Sequence, residues 1–552
     1  MQVRNTETLS MNNRLFYWSS TAALAGFLFG FDTVVISGAE KTIQNLWALD
    51  NAMHGLAIGM ALWGTVLGSL IGGWPTDRFG RKNTLISIGA LYFVSAVWSG
   101  LATDVYSFMV ARFIGGLGVG ISTVTAPLYI SEIAPPERRG RLAGMFQFNI
   151  VFGILVAFLS NYLIGIAMGE GGWRWMLGIE AVPAIIYTVM CCTLPQSPRW
   201  LIATKGDRAQ GEKMLALINR DADEATITKM ADEIQNSSSF GSQSSAANSG
   251  AFWTSRLRIP ILLAFLVAFF NQLSGINAVL YFAPRIFQLA GFGENAALLN
   301  SIGIGVTNLL FTFVGLYLID RLGRRTLLYI GSFGYIISLG MCTWAFFAYA
   351  APFQVANTAI NVQSTINSLQ KAQSLDVQVE KDIAGLTDQL NSAQADLAQA
   401  CVSAAIDGDT ADLNEEASFS QNQLDQLKIT ASNALIQAGK QSSSGGYLVV
   451  LCIFGFIAAH AVGQGAVIWV LISEIFPNRH RAAGQSLGSF THWIFAAGLT
   501  TVFPWMIGTF APGYVFGLFC FMMVLQLVWV ASSVPETKGI ALEDMEKKLG
   551  IG

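Results

Sequence analysis

Two ionisable residues interrupt long apolar runs of this 552-residue chain: Asp32, within Phe31-Asp-Thr-Val-Val-Ile-Ser-Gly38, and Arg112, at the start of Arg112-Phe-Ile-Gly-Gly-Leu-Gly-Val-Gly120. A second acid, Glu180, stands near Pro183 in another run. Charge is costly in hydrocarbon, so such groups are functional by default, and an acid held ionised by a guanidinium loosens its surroundings when it takes up a proton. A static pair that only fixes two helices is the simpler alternative for Asp32, and a local cap for Glu180. Amides interrupt the runs in the same way: Gln147 and Asn149 in one, Asn271, Gln272 and Asn277 with Tyr281 in another, Asn308 in the next, and Trp469 lies further on. Amides donate and accept at once, and an aromatic face covers the apolar side of a ring, so the set suits a neutral ligand rich in hydroxyls. Each amide alone can equally be a hydrogen bond between packed helices.

Composition supplies the elements that position these residues. Apolar residues make up 53% and charged residues 12%, with a mean hydropathy of +0.49, which fits a polytopic membrane protein. Twelve runs, from 15–39 to 513–533, can each cross a hydrocarbon core of about 30 Å. The order of motifs is doubled: Asp77-Arg-Phe-Gly-Arg-Lys82 returns as Asp320-Arg-Leu-Gly-Arg-Arg325, Ser131-Glu-Ile-Ala-Pro135 as Ser473-Glu-Ile-Phe-Pro477, and Pro195-Gln-Ser-Pro-Arg199 as Pro535-Glu-Thr-Lys-Gly539. The chain is therefore expected to be two homologous six-helix halves with a ligand site between them. The first pair is 243 residues apart and the second 342, which places an insertion between Asp320 and Glu474.

Basic residues in short loops set orientation. Arg78, Arg81 and Lys82, then Arg138, Arg139 and Arg141, then Arg321, Arg324 and Arg325, then Arg479 and Arg481 all fall on one side, with little beyond Lys41 and Arg285 on the other. Both termini and residues 195–256 are thus expected in the cytoplasm, in a cell inner (plasma) membrane. Residues 1–14 are polar and lack a small-residue cleavage site after the first run, which is read as a helix and not a removable signal. A net charge of −3 with no further basic cluster gives no sign of nucleic-acid binding. Five cysteines sit in apolar helices and Cys401 stands alone outside, so no disulfide framework is expected. His54 and His460 read as polar packing residues. No phosphate-binding Gly-Lys loop, metal cluster or nucleophile constellation suggests an enzyme or a cofactor.

The motifs around Asp32 and Arg112, together with Pro195-Gln-Ser-Pro-Arg-Trp-Leu201, Gln272-Leu-Ser-Gly-Ile-Asn-Ala-Val-Leu-Tyr281 and Pro535-Glu-Thr-Lys-Gly539, closely resemble the sugar porter family of the major facilitator superfamily. The resemblance implies the major facilitator fold and sugar contacts at Gln147, Gln272, Asn277, Asn308 and Trp469, with Phe29 and Trp493 lining the cavity. Similar proton-linked symporters carry the same Asp and Arg, which implies monosaccharide import with a proton bound at Asp32. A proton-independent facilitator and a transporter-like sensor remain alternatives. Three departures stand out: Asn271 precedes Gln272 where a second Gln is usual, His492 replaces an amide before Trp493, and Ala466 replaces a proline, leaving the bend of helix 10 to Gly463 and Gly465. At the cytoplasmic ends, Asp77, Arg78, Arg81, Asp320, Arg321 and Arg324 are expected to pair with Glu132, Arg138, Glu474 and Arg481 as a gate. Gln196 removes one acid from it.

The expected architecture is an all-α membrane protein: residues 1–194 form one half, 195–256 a cytoplasmic helical linker that bridges the halves, and 257–351 with 446–533 the other half. Residues 352–445 form an extracytoplasmic insertion and 534–552 a cytoplasmic tail. Ser/Gly/Asn-rich 236–250 reads as a flexible stretch. In the insertion, apolar stripes at 383–400 and 413–431 suggest an antiparallel helical hairpin ended by flexible Ser442-Ser-Ser-Gly-Gly446. Eleven acids against four lysines make it acidic. Self-association, an outer partner, a lid over the entrance and a solvated spacer are its open readings.

Overall fold

The computed structural model describes residues 3–134, 139–219, 223–247, 252–374, 380–406, 419–477, 480–540, 542–549 and 551. Among them the chain is helical without strands, and twelve helices are long and apolar enough to cross a membrane. Spans 1 to 6 are Arg14–Gly38, Asn51–Ile71, Arg81–Leu101, Val105–Ile133, Gly144–Met168 and Trp173–Cys192. Spans 7 to 12 are Ser255–Tyr281, Glu294–Leu322, Arg324–Ala348, Gln421–Ile475, Arg481–Thr509 and Pro512–Ser533. The face bearing the arginine loops is called inner below, and the opposite one outer.

Local sequence sets where spans begin. Asp50 accepts from Met53 N at 2.7 Å and Asp104 from Ser107 N at 2.9 Å, so both cap the orphan amides at the starts of spans 2 and 4. Spans 3 and 9 begin alike: the N-cap is Gly80 with φ +83° or Gly323 with φ +91°, the second glycine-dependent corner repeating the first. The glycines of span 4 serve close approach. A Cβ on Gly116 would run into the Ala61 backbone of span 2, and one on Gly115 would sit 3.0 Å from Ser95 Cβ and 3.6 Å from Asp32 Oδ1.

Three spans are broken where function was expected. Span 6 splits at Ile179–Glu180, ahead of Pro183. Span 7 ends its first segment at Leu273, turns through Gly275 with φ +88°, and continues as Ile276–Tyr281, followed by an outer segment Ala283–Leu289. Span 10 breaks at Gly463. The bend of helix 10 is therefore at the first of the two expected glycines, where a Cβ would meet the Gly331 Cα at 2.7 Å.

The insertion differs from a hairpin. Span 9 is followed by helix Ala350–Ser374, then Glu380–Ala404, then Gln421–Val462, and the two later helices both pack on the first. Their shared core holds Val355, Val362, Ile366, Leu390, Leu397 and Leu424. Residues 413–418 of the second expected stripe lie outside the described residues. Ser442 to Gly446 is no flexible end but the middle of a 42-residue helix running into span 10. Gly445 lies against the Tyr349 ring, and a Cβ on Gly446 would stand 3.0 Å from the Ala290 carbonyl. These glycines answer a packing need, not a need for freedom.

The linker forms helices Pro198–Ala203, Arg208–Ile218 and Glu224–Ala247. The last continues through most of the stretch that composition marked as flexible, because Ser, Ala and Gln each cost less than about 0.7 kcal/mol in a helix. Its small core is Ile202, Leu215, Ile227 and Ala231. Trp200 Nε1 ties it to the first half by donating to the Asp77 carbonyl at 2.6 Å, and Arg256 Nε donates to the Ile551 carbonyl of the tail at 2.5 Å.

Candidate functional site

The Asp32 and Arg112 side chains meet as the sequence suggested. Arg112 Nη1 donates to Asp32 Oδ1 at 2.6 Å and Nη2 to the Asp32 backbone carbonyl at 3.1 Å, with both side chains at most 2% exposed. Glu180, also buried, is in contact with the pair, brought there by the break in span 6. Among the described residues, no hydrogen bond satisfies Arg112 Nε or Glu180 Oε1, nor Ser95 Oγ nearby. Two carboxyls and one guanidinium share a dry site. With both acids ionised, two negative charges would face one guanidinium there.

Tyr281 belongs with this group. It is 1% exposed, beside Thr33 and within electrostatic reach of Asp32 and Arg112, and among the described residues no hydrogen bond joins it to the amides.

That cluster sits at the break of span 7. Asn277 Nδ2 donates to Gln272 Oε1 at 2.6 Å, Gln272 Nε2 donates to Asn271 Oδ1 at 2.8 Å, and the same nitrogen lies 3.1 Å from His492 Nδ1. Aromatic faces extend it: His492 is 5.3 Å from Trp469 and 4.8 Å from Trp493, and Trp493 is 5.6 Å from Phe29 across the two halves. Such a ring of amides, imidazole and indole offers donors, acceptors and an apolar face together. Gln147 and Asn308 stand on spans 5 and 8, which pack on each other, and no hydrogen bond joins either to the cluster among the described residues. Asn149 donates to its own helix at Met145 O, 2.8 Å, and so acts within span 5. His460 reaches Tyr335 Oη at 2.7 Å, in keeping with packing.

The inner loops form two matching clusters. Arg81 donates from Nε and Nη2 to the two oxygens of Glu132, both at 2.9 Å, and Arg324 does the same to Glu474 at 3.1 and 2.9 Å. Forked pairs of this kind carry geometric specificity. Asp77 and Asp320 add only exposed contacts, at 65% and 82% side-chain exposure, which are worth little. Arg78 and Arg321 do not pair with acids as expected but lie over the rings of Trp74 and Tyr317. Arg138 lies outside the described residues. Arg481 also departs from the expectation: among the described residues its Nε has no hydrogen-bond partner, and its side chain lines a cavity of about 310 Å³ with Glu474 and Thr537.

Glu536 was missed from the sequence. Its carboxylate accepts from the backbone N–H of Arg324, Arg325, Thr537 and Lys538 at 2.9 to 3.0 Å. Burial would raise its pKa, but these four donors hold it below the usual carboxylate range. In the first half Gln196 occupies the matching place with one long contact from Lys82 N, 3.4 Å. The outer residues Glu40, His54 and Arg285 were likewise not read as a unit.

Comparison with known proteins agrees with this geometry. The chain matches the family described as Sugar (and other) transporter over residues 18–363 and 428–549. The arabinose-proton symporter of Bacillus subtilis is 29% identical, covering 96% of this chain and 94% of the relative. A glucose transport protein of Synechocystis is 30% identical with 96% of each covered, and the D-xylose-proton symporter of Escherichia coli is 27% identical with 96% and 95% covered. Among solved structures, the inward-open xylose transporter XylE of E. coli superposes with a TM-score of 0.68 at 25% identity, covering 97% of this chain and 99% of that one. The 6-bromo-6-deoxy-D-glucose complex of that symporter, of the major facilitator superfamily, gives 0.63 at 27% identity, covering 98% and 99%.

Proposed function

Because the chain belongs to the Sugar (and other) transporter family, a family of membrane transporters and not enzymes, we propose that it imports a monosaccharide, hexose or pentose, together with a proton by alternating access. The observation that carries this reading is the dry site in which Asp32, Arg112 and Glu180 meet. The names of the relatives, sugar-proton symporters among them, point the same way.

In the proposed mechanism the sugar hydroxyls take over the hydrogen bonds that Gln272, Asn277 and His492 now make among themselves, with Trp469, Trp493 and Phe29 against the ring. Gln147 and Asn308 face it from spans 5 and 8, and Asn271 orients Gln272. Segment Ile276–Tyr281 links the two sites, since it starts at the amides and ends with Tyr281 beside Thr33 and the Asp32 pair. Sugar binding that shifts this segment disturbs the proton site, and protonation of Asp32 releases Arg112, so each ligand biases the same two-state element. Sugar is bound from outside with Asp32 protonated, and the proton leaves to the cytoplasm after the inner side opens. The inner pairs Arg81–Glu132 and Arg324–Glu474, with the cavity-lining Arg481, regulate that opening. Both termini lie in the cytoplasm of a cell whose inner (plasma) membrane holds the protein.

Uptake of labelled glucose, xylose and galactose into proteoliposomes, with and without an inward proton gradient, tests the reading. Accumulation driven by the gradient is expected in the wild type and lost in Asp32→Asn, which keeps sugar exchange. Equal, merely equilibrating uptake by both proteins would leave a facilitator.

A further inference from the structure

The outer ends of the halves are joined by a buried ionic cluster that neither the amides nor the Asp32 site uses. Glu40 opens the short helix Glu40–Leu46 after span 1, and its side chain is 2% exposed. Arg285 reaches it from the outer segment of span 7: Nε donates to Glu40 Oε1 at 2.9 Å and Nη2 lies 2.8 Å from Oε2. His54 of span 2 donates from Nε2 to that same Oε2 at 2.8 Å, with its ring edge-on to Phe282 of the second half. Two bonds from cations to neutral amides flank the pair: Arg285 Nη2 donates to Gln44 Oε1 at 2.5 Å, and Lys41 Nζ to Gln288 Oε1 at 3.0 Å. Each of these except the His54–Glu40 bond runs from the first half to the second.

The energetics suit a contact that must form and break repeatedly. A buried ion pair is close to break-even against its hydrated parts, while its forked geometry accepts one register only. When the halves separate, both groups regain water, so the seam reopens more readily than an apolar one of the same area. Burial pushes the Glu40 carboxyl up, but Arg285 and His54 outweigh it and hold the group below the usual carboxylate range, so the pair stays ionised at ordinary outer pH. Position matters too. Arg285 stands one joint, at Phe282, beyond Tyr281 and two beyond the amides, on the segment that links both ligand sites.

We propose that Glu40 and Arg285, with His54 as a positioning residue, form the latch that shuts the outer side of the transporter and opens once in each cycle. The proposal rests on the alternating-access reading.

Spin labels at Leu46 and Asn295, exposed outer positions on opposite halves, test it by pulsed electron resonance in a Cys192→Ser background. Gly55→Trp supplies the open distance, because any side chain there runs into the Thr501 backbone of span 11. Glu40→Gln and Arg285→Gln are each expected to lower the ratio of closed to open populations at least about threefold. The exchange Glu40→Arg with Arg285→Glu restores part of it, and Glu40→Gln adds nothing to Gly55→Trp. Closed populations unchanged in both single variants, with sugar still bound, would overturn the latch alone. No open distance in Gly55→Trp would remove alternating access and the latch together. Should the single variants not fold, amide exchange decides: helix Glu40–Leu46 is expected to exchange faster in Gly55→Trp than in the wild type, and equal protection would sink the proposal.

Discussion

Removing Arg112 is expected to harm this protein more than removing its partner acid. Arg112→Gln leaves Asp32 and Glu180 facing each other in a site less than 2% exposed, with no positive charge near them. Deleting one partner of a buried pair costs about 3–5 kcal/mol, because the remaining acid must stay buried without its countercharge or take up a proton. Asp32→Asn is milder. Its backbone carbonyl still accepts from Arg112 Nη2 at 3.1 Å, and Glu180 still balances the guanidinium, so the loss is about 1–3 kcal/mol. The double variant is expected to cost less than the sum of the two by about 2 kcal/mol. Reversible chemical unfolding in bicelles, followed by tryptophan fluorescence, measures all three. Additive losses, within about 0.5 kcal/mol, would refute the idea that Asp32, Arg112 and Glu180 act as one electrostatic unit.

Gln196→Glu is expected to give the first half the cap that Glu536 gives the second, stabilising the protein by about 0.5–1 kcal/mol in the same unfolding assay. Gly275→Ala places a side chain at φ +88° against the Phe519 ring, so a loss of more than about 1–2 kcal/mol and of sugar transport is expected. Gln272→Ala removes the hub of the amide cluster and is expected to weaken sugar binding, read by calorimetry, by about ten- to a hundredfold, the equivalent of about 1.4–2.8 kcal/mol. Glu40 and Glu536 both have lowered folded-state pKa values, so what they contribute is present above the unfolded carboxylate pKa of about 4.3 and is lost as pH falls through the lower folded value. The pH dependence of transport between pH 5 and 7 is therefore expected to be the same in Glu536→Gln as in the wild type.

Part of the doubled loop motif was legible because the same residues recur in the same order: Arg81 with Glu132 and Arg324 with Glu474 end neighbouring spans, and Gly80 and Gly323 turn the same corner, whereas the neighbours of Arg78, Arg321 and Arg481 were not. Asp32 and Arg112 were legible for another reason, since an isolated charge in an apolar run has few stable answers. The outer cluster was not. Glu40 and Arg285 lie in different halves, and nothing in a single sequence says which loop residues meet across a pseudo-symmetry axis. The extra outer helix was misread although Val355, Ala359, Val362, Ile366 and Leu369 carry the spacing, because its polar residues follow span 9 without a turn signal strong enough to mark a new element. Tyr281 was grouped with the amides by adjacency in sequence. It stands one turn past Asn277, at the end of its segment, where Thr33 and the Asp32 pair are the neighbours.

The unbroken helix from Gln421 to Val462 makes the outer bundle a pointer fixed to span 10. At 1.5 Å per residue it is about 63 Å long, of which more than about 30 Å stands beyond the membrane segment. A tilt of about 10° in the outer part of span 10 would carry its tip by about 6 Å, on that same helical rise. The break at Gly463 spares the inner segment from following. A small rotation in span 10 is thus converted into a larger displacement at the far end of this helix, which a molecule bound there would sense, or would oppose by holding the tip still.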